Sequence, residues 1–259
     1  EVSFIYGIVI SIFTLHYNTG IIIMDKSKSF LKQFLAIIVF IATFGFAQTD
    51  VSGTISSNTT WDVSGNPYTI TANTVIMDGV TLTIDPGVTV LFSQDVYLKA
   101  LSGATLIAQG TESDSIYFTV TDTNTVTNTE GIEFADGAIG SSVQNDTTYV
   151  SGSVIQYSVF EYFYGHAINL NTSILIAKSS FRNNSTLNGA IEVGNDGLIL
   201  YKTILTSNTT SGNGAAVNIS IPNEGASGDI KLLNCIFTNN QSQDGGAFCA
   251  SGYNIGKVV

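Results

Sequence analysis

The stretch Ile155-Gln-Tyr-Ser-Val-Phe160 begins a pattern that the chain repeats three more times before residue 250. The later copies are Ile176-Ala-Lys-Ser-Ser-Phe181, Leu200-Tyr-Lys-Thr-Ile-Leu205 and Leu232-Leu-Asn-Cys-Ile-Phe237. Each copy is followed by a second short pattern, at Ala167-Ile-Asn-Leu170, Ala190-Ile-Glu-Val193, Ala216-Val-Asn-Ile219 and Ala247-Phe-Cys-Ala250. The final large apolar residues of the first pattern are spaced by 21, 24 and 32 residues. This period is typical of a solenoid with one structural unit per repeat.

The repeats predict β-strands, because apolar and polar residues alternate within them and no copy has the 3.6-residue period of a helix. A strand in so short a unit cannot cover its own buried face, so successive copies must stack with parallel strands about 4.8 Å apart. The sequence therefore predicts an all-β fold, a right-handed parallel β-helix. Stacking predicts three interior columns: Phe160, Phe181, Leu205 and Phe237; Ile168, Ile191, Val217 and Phe248; Ser158, Ser179, Thr203 and Cys235.

An asparagine follows the large apolar residue by three positions in the last three copies, at Asn184, Asn208 and Asn240. An inward ladder of amides at this position can satisfy backbone groups of the turn in one repeat after another. The first copy has Phe163 instead. We therefore expect a structural asparagine ladder that begins in the second copy.

Two of the copies carry a recognisable motif. Phe181-Arg-Asn-Asn184 with Asn188-Gly-Ala-Ile191, and Phe237-Thr-Asn-Asn240 with Gly245-Gly-Ala-Phe248, resemble the Phe-x-x-Asn and Gly-Gly-Ala-[Ile/Leu/Val] repeats of chlamydial polymorphic outer-membrane proteins. Only the second of these copies has both glycines, so the resemblance extends to the wider group of secreted bacterial right-handed β-helix repeat proteins. Leucine-rich repeats remain an alternative, since they also place an asparagine after an apolar run, but they lack the Gly-Ala second strand.

A variant of the repeat occupies the chain before residue 122. Gly79-Val-Thr-Leu-Thr-Ile84 recurs 24 residues later as Gly103-Ala-Thr-Leu-Ile107. We therefore assign 48–121 to an N-terminal cap and the first coils, and 122–259 to β-helix repeats carrying a projecting polar loop at 135–148. This region resembles the N-terminal part of secreted bacterial β-helix proteins. Trp61 is expected either to cover the first coil or to be an ordinary core tryptophan, because an uncovered coil exposes unpaired strand edges.

The N-terminal region has the sequence pattern of a targeting segment. Met24 opens a basic stretch followed by the apolar run 34–46 and a Gly-Phe-Ala cleavage site, which predicts a signal peptide over 24–47 and export to the cell surface or outside. Residues 1–23 are interpreted as untranslated upstream sequence, and the alternative is a first membrane span paired with a second. Because the repeats stop at Val259 in mid-coil, the fold is expected to be C-terminally truncated.

Charge argues against nucleic acid as a partner. After removal of residues 1–47, six basic side chains face eighteen acidic ones, a net charge of −12. Phosphate binding needs basic clusters that such a chain lacks. The sequence also has no zinc-ligand spacing, phosphate-binding glycine loop or nucleophile elbow, and we expect no cofactor and no membrane insertion of the mature chain. Cys235 and Cys249 alternate to opposite faces, which predicts two free thiols, with Cys235 buried.

Polysaccharide cleavage is the activity most often found on β-helices, so its chemistry was sought in the repeats. Hydrolysis needs two carboxylates, and a lyase needs a base and often calcium. The outward strand positions give one carboxylate, Glu192, beside two asparagines, while Arg182 is expected to pair with Glu161. His166 is interpreted as a turn residue. No catalytic or metal site is therefore predicted, although calcium remains possible.

Two classes of function stay open from the sequence. The favoured one is a secreted or cell-surface, non-catalytic β-helix that is adhesin-like or binds glycans, with polysaccharide or a host or neighbouring cell surface as partner. The alternative is a polysaccharide lyase or glycoside hydrolase of the pectin-lyase-like type. The outward residues expected to contact a ligand are Lys178, Arg182, Lys202, Asn169, Glu192 and Asn218.

Overall fold

The chain is a right-handed parallel β-helix, as the sequence predicted. A computed structural model describes residues 48–123, 129–221 and 229–252, which contain 25 strands, one 3-10 helix at Val63–Gly65 and no α-helix. The predicted signal peptide 24–47 and the preceding residues 1–23 lie outside these ranges. The described strands wind through eight successive coils with three faces, and every neighbouring pair of coils is joined by parallel strand pairing.

The first and second faces belong to one 14-stranded sheet, because β1 (Thr49–Ile55) and β3 (Tyr68–Ile76) contribute to both. The first face continues with β5 (Thr89–Phe92), β8 (Ile116–Val120), β13 (Ser158–Glu161), β16 (Ser180–Arg182), β20 (Ile204–Thr206) and β24 (Ile236–Thr238). The second face continues with β6 (Leu98–Ala100), β9 (Glu130–Phe134), β14 (His166–Leu170), β18 (Ile191–Val193), β22 (Val217–Ile221) and β25 (Phe248–Gly252). The third face is a separate sheet of β2 (Thr59–Trp61), β4 (Thr81–Ile84), β7 (Thr105–Gln109), β12 (Val154–Gln156), β15 (Ile174–Ala177), β19 (Leu198–Tyr201) and β23 (Ile230–Leu233).

The predicted interior columns are confirmed by the strand register. Phe160 pairs with Phe181, which pairs with Leu205, which pairs with Phe237. Phe118, Phe160 and Phe181 stack face to face, with ring centroids 4.5 Å and 4.6 Å apart. The column that runs from Ile168 through Ile191 and Val217 to Phe248 is equally in register.

The small-residue column has a repeated polar contact at the corner where each coil begins. The side chains of Ser158, Ser179 and Thr203 are buried and donate to the carbonyl oxygen two residues earlier. The Cys235 thiol makes the same contact to Leu233, but it is half-buried rather than buried as predicted. Its pKa is raised by this partial burial, and both cysteines are free thiols.

The asparagine ladder is present as predicted. Asn184 Nδ2 donates to Asn208 Oδ1 at 2.9 Å, and Asn208 Nδ2 donates to Asn240 Oδ1 at 2.9 Å. Each amide also donates to a strand carbonyl of the preceding coil. The ladder begins under the turn at Phe163, whose backbone N–H donates to Asn184 Oδ1. It therefore joins the fifth to the eighth coil.

The segment 135–148 differs from the predicted projecting loop. It contains β10 (Ser142–Gln144), which forms an antiparallel hairpin with β11 (Thr148–Ser151). Val143 and Tyr149 of the hairpin pack on an outward apolar patch of the third face, formed by Val154, Leu175, Ala177 and Ile199. Burial of this patch fixes the hairpin against the solenoid, because apolar surface is thereby removed from water.

Two smaller features complete the fold. β17 (Ser185–Thr186) pairs in parallel with β21 (Thr209–Thr210) at the turn between the first and second faces. Trp61 is buried in the first coil and stacks on Tyr68 with centroids 5.0 Å apart. Both interpretations of Trp61 predicted this burial.

Candidate functional site

The six outward residues predicted to contact a ligand lie in three separate places. Lys178 and Lys202 lie at the corner between the third and first faces, and Arg182 lies on the first face. Asn169, Glu192 and Asn218 follow one another in register on the second face. The structure therefore does not bring the six residues together, and each place has to be considered separately.

The corner after the third face has the same backbone conformation in four successive coils. Tyr157, Lys178, Lys202 and Asn234 occupy the same position in successive coils and all have φ near +50°. Non-glycine residues seldom adopt this left-handed conformation, which here turns the chain within one residue. The residue that follows each corner position belongs to the inward column of Ser158, Ser179, Thr203 and Cys235. The corner side chain itself therefore points outward. Lys178 and Lys202 are accordingly exposed and lie one coil apart.

Tyrosines accompany both lysines. Lys178 Nζ donates to Tyr157 Oη at 2.7 Å and lies 4.8 Å from the centre of that ring. Lys202 Nζ lies 5.3 Å from the centre of the Tyr201 ring. The hydrogen bond with the Tyr157 hydroxyl raises the pKa of Lys178, so this ammonium stays charged at neutral pH. We call Tyr157, Lys178, Tyr201 and Lys202 the lysine ridge.

A shallow groove lies on each side of the lysine ridge. The groove on the third-face side has a volume of about 410 Å³ and is walled by the hairpin residues Thr147, Thr148 and Tyr149. Its floor includes Gln109 and Gln156, whose amides hydrogen-bond to each other at 3.1 Å. The groove on the first-face side is lined by Glu112 and Ser115 together with Tyr157, Lys178 and Lys202 of the ridge. Charged, aromatic and amide groups therefore meet at this corner.

The hairpin wall is held at both ends. Tyr149 Oη donates to the Gly152 carbonyl at 2.7 Å, and Lys231 Nζ of the third face lies 2.8 Å from Asp146 Oδ1 at the hairpin turn. Tyr149, Tyr157 and Tyr201 lie at this site but were not predicted from the sequence. Aligning the repeats on the residue before Ser158, Ser179, Thr203 and Cys235 places Tyr157, Lys178 and Lys202 in one column, but nothing in the repeats indicates the hairpin wall.

The second face carries a network of paired charges. Lys99, Glu133, Asn169, Glu192 and Asn218 lie in register on five successive coils. Lys99 Nζ lies 2.6 Å from Glu133 Oε2, and this hydrogen bond raises the pKa of Lys99. The prediction that this row has one carboxylate is wrong, because Glu133 belongs to it as well. Asn218 is 6% exposed, so it is not the solvent-facing residue that was predicted.

His166 is the first residue of β14 rather than a turn residue, which corrects the sequence-based interpretation. The backbone N–H groups of Ala167 and Ile168 both donate to the Ala190 carbonyl, and both residues are buried, so the inward–outward alternation is broken at the start of β14. The Nδ1 atom of His166 lies 3.0 Å from Glu192 Oε2 of the outward row. The nitrogen is buried and its contact with Glu192 is not aligned as a full hydrogen bond.

The pKa of His166 results from opposing effects. Burial lowers it, whereas the contact with Glu192 and the negative charges of Glu192, Glu130 and Glu133 raise it, and the balance lies above 6.5. In the same network Glu133 is paired with Lys99. Both carboxylates of the outward row thus have a cationic partner when His166 is protonated.

Arg182 has the partner that the sequence predicted. Its Nε lies 2.7 Å from Glu161 Oε2 on the neighbouring strand of the first face. The pair is exposed on the arginine side and contributes little to stability. An arginine engaged in this way is a poor candidate for a lyase base.

Residues 48–123, 129–221 and 229–252 contain no candidate metal centre and no candidate membrane span. No group of three or more histidine, cysteine, aspartate or glutamate residues there is arranged to hold a metal ion. The same residues contain no helix with the length and hydrophobicity needed to span a membrane.

Comparison with known proteins supports the fold. Residues 53–165 match the protein family described as the pectate-lyase like beta helix domain. No curated protein and no solved structure matches the chain. The matched range begins within β1 of the first coil and ends in the fifth coil, just before β14.

Proposed function

We propose that this protein is a secreted or cell-surface β-helix without catalytic activity that binds glycans, and that anionic polysaccharide binds along the lysine ridge. The proposal rests on one observation: two charged lysines lie on consecutive coils of an otherwise acidic chain, each beside a tyrosine ring. The signal-peptide pattern over 24–47 supports an exported location, and a carbohydrate layer on a host or neighbouring cell is a partner of matching chemistry.

The chemistry of the ridge fits an anionic sugar chain. Two ammonium groups one coil apart repel each other, and a ligand with repeated negative charges relieves this repulsion while making charge-assisted hydrogen bonds. Tyrosine rings offer flat apolar surfaces with a polar end, which suits the alternating apolar and hydroxyl faces of a sugar ring. The Gln109 and Gln156 amides supply donors and acceptors in the adjoining groove.

Replacing both ridge lysines by glutamine is expected to lower the affinity for polygalacturonate or alginate by about tenfold or more, because charge-assisted hydrogen bonds each contribute about 1.5–3 kcal/mol. Isothermal titration calorimetry of wild type and the Lys178→Gln/Lys202→Gln variant measures this. Wild-type affinity should also fall as salt is raised.

The matched control is Lys99→Gln, since Lys99 is a lysine of the second face that is paired with Glu133. This variant should bind as wild type does. Equal affinity of the ridge variant and wild type, or equal binding of a neutral dextran, would contradict the proposal.

A second candidate function is glycoside hydrolysis on the second face. It is favoured by Glu133 and Glu192, which lie two coils apart, so their backbones are separated by about 9.6 Å. Carboxylates of inverting glycosidases are about 6.5–9.5 Å apart. The arrangement is less favourable for acid catalysis because both carboxylates are already engaged: Glu133 is hydrogen-bonded to Lys99, and Glu192 is in contact with His166.

Hydrolysis predicts new reducing ends when the purified chain is incubated with pectin, alginate or neutral glycans. We expect none, and no ultraviolet-absorbing unsaturated products of a lyase. Turnover that Glu133→Gln or Glu192→Gln abolishes, and that Glu161→Gln leaves intact, would replace the binding proposal by the enzymatic one.

A further inference from the structure

His166 joins three coils of the second face. Its ring contacts Glu192 of the sixth coil at 3.0 Å, and its backbone pairs with Glu130 of the fourth coil. Glu133 lies on the same strand as Glu130 and faces Asn169, which follows His166 by three residues. One imidazole is therefore positioned among three carboxylates that belong to the coils on either side of it.

The asparagine ladder does not extend to the fourth coil. Asn184, Asn208 and Asn240 link the fifth to the eighth coil, whereas the equivalent position of the fifth coil is the apolar residue Phe163. On the second face, Lys99 and Glu133 connect the third and fourth coils. On this face, the charges around His166 continue this connection through the fourth, fifth and sixth coils.

We propose that His166 is a proton-controlled latch that strengthens the stacking of the fourth, fifth and sixth coils in acid and releases it above neutral pH. Protonated, the imidazolium attracts Glu192 across one junction and Glu130 and Glu133 across the other. Neutral, it no longer offers Glu192 a positive charge, whereas Glu133 keeps Lys99 as its partner. In a solenoid each coil is stabilised mainly by its neighbours, so a change at one junction alters the opening of the coils next to it.

The direction of the pH effect follows from the charges that face His166. These are Glu192 on β18, Glu130 and Glu133 on β9, and Lys99 behind Glu133, while Asn169 and Asn218 are neutral. The folded-state pKa of His166 is raised. Its contribution to stability is therefore complete below the unfolded value of about 6.5 and is lost as pH rises through the higher folded value.

Two measurements on the same protein test the latch. The first follows the His166 ring nitrogens by NMR between about pH 5 and pH 8, with the signal assigned from the His166→Gln variant. We expect a midpoint above the usual histidine range, and a midpoint shifted down in Glu192→Gln. The second is amide hydrogen exchange, corrected for intrinsic rates, in which β14 and β18 should lose protection severalfold over the same range.

Glu161→Gln is the matched control, because Glu161 is also an outward strand glutamate, and its side chain is 16% exposed against 19% for Glu192. It should leave the His166 titration and the exchange profile unchanged. In His166→Gln the pH dependence of exchange in β14 and β18 should disappear. A wild-type midpoint at or below 6.5, protection independent of pH, or equal effects of Glu161→Gln and Glu192→Gln would overturn the proposal.

Discussion

Replacing Phe181 by aspartate is expected to unfold the coils on both sides of it. The Phe181 ring is fully buried and stacks on Phe160 with an interplanar angle of 3°. The substitution removes this packing, at about 3–5 kcal/mol for the loss of a buried phenylalanine, and places a carboxylate in an apolar column, which costs several kcal/mol more. Domains are stable by about 5–15 kcal/mol in total. Loss of the far-ultraviolet circular dichroism signal of β-structure measures the effect.

Ile204→Asp is the matched control for this prediction. Ile204 begins the next strand of the first face, is 42% exposed, and lies beside the interior residue Leu205. The same change from an apolar residue to aspartate at this outward position should alter the free energy of unfolding by about 0.5 kcal/mol or less. Equal loss of the β-signal in the two variants would contradict the assignment of inward and outward faces.

The register of the repeats could be predicted because stacking places equivalent residues above each other. Once Phe160 and Phe181 were aligned, the pairing of every residue between Ser158 and Glu161 was determined, and the structure has this pairing. The two-residue period then fixes which face is inward. The asparagine ladder followed from the same alignment, since an amide repeated at one turn position can hydrogen-bond to its own copies.

The hairpin could not be predicted from its own composition, which is polar. The sequence evidence for a covering segment lies instead in the strand that it covers. The run Ile174-Leu175-Ile176-Ala177 is apolar throughout, and all four residues are buried. A strand covered on one side alternates, whereas a strand covered on both sides is apolar throughout. The outward residues Leu175 and Ala177 thus indicated that something packs on the third face, but they did not indicate which segment.

The candidate sites were predicted in part. Aligning the repeats identifies Lys178 and Lys202 as neighbours, yet the groove beside them also depends on the hairpin. His166 was missed because the inward–outward alternation breaks at Ala167 and Ile168, both of which are buried, and the sequence carries no signal of this break. Glu130 and Glu133 were missed as its partners because the fourth coil departs from the repeat pattern.

Asn208→Leu is expected to have the second large effect. The Asn208 side chain is completely buried and makes four hydrogen bonds: its Oδ1 accepts from the backbone N–H and Nδ2 of Asn184, and its Nδ2 donates to Asn240 Oδ1 and the Phe181 carbonyl. Leucine has a similar volume but cannot form hydrogen bonds, so the groups that bonded to Asn208 lose this partner. Each unsatisfied group costs about 1–3 kcal/mol, so the sixth to eighth coils should unfold at markedly lower denaturant concentration.

Asn240→Leu and Asn188→Leu test whether burial controls the size of this effect. Asn240 makes the same kinds of contact but is half-buried, so water can replace part of what is lost, and the destabilisation should be smaller. Asn188 is exposed, and its replacement should change the unfolding midpoint little. If Asn208→Leu proved as mild as Asn188→Leu, the ladder would contribute to the shape of the turn without stabilising the stack, and the apolar columns alone would hold the coils together.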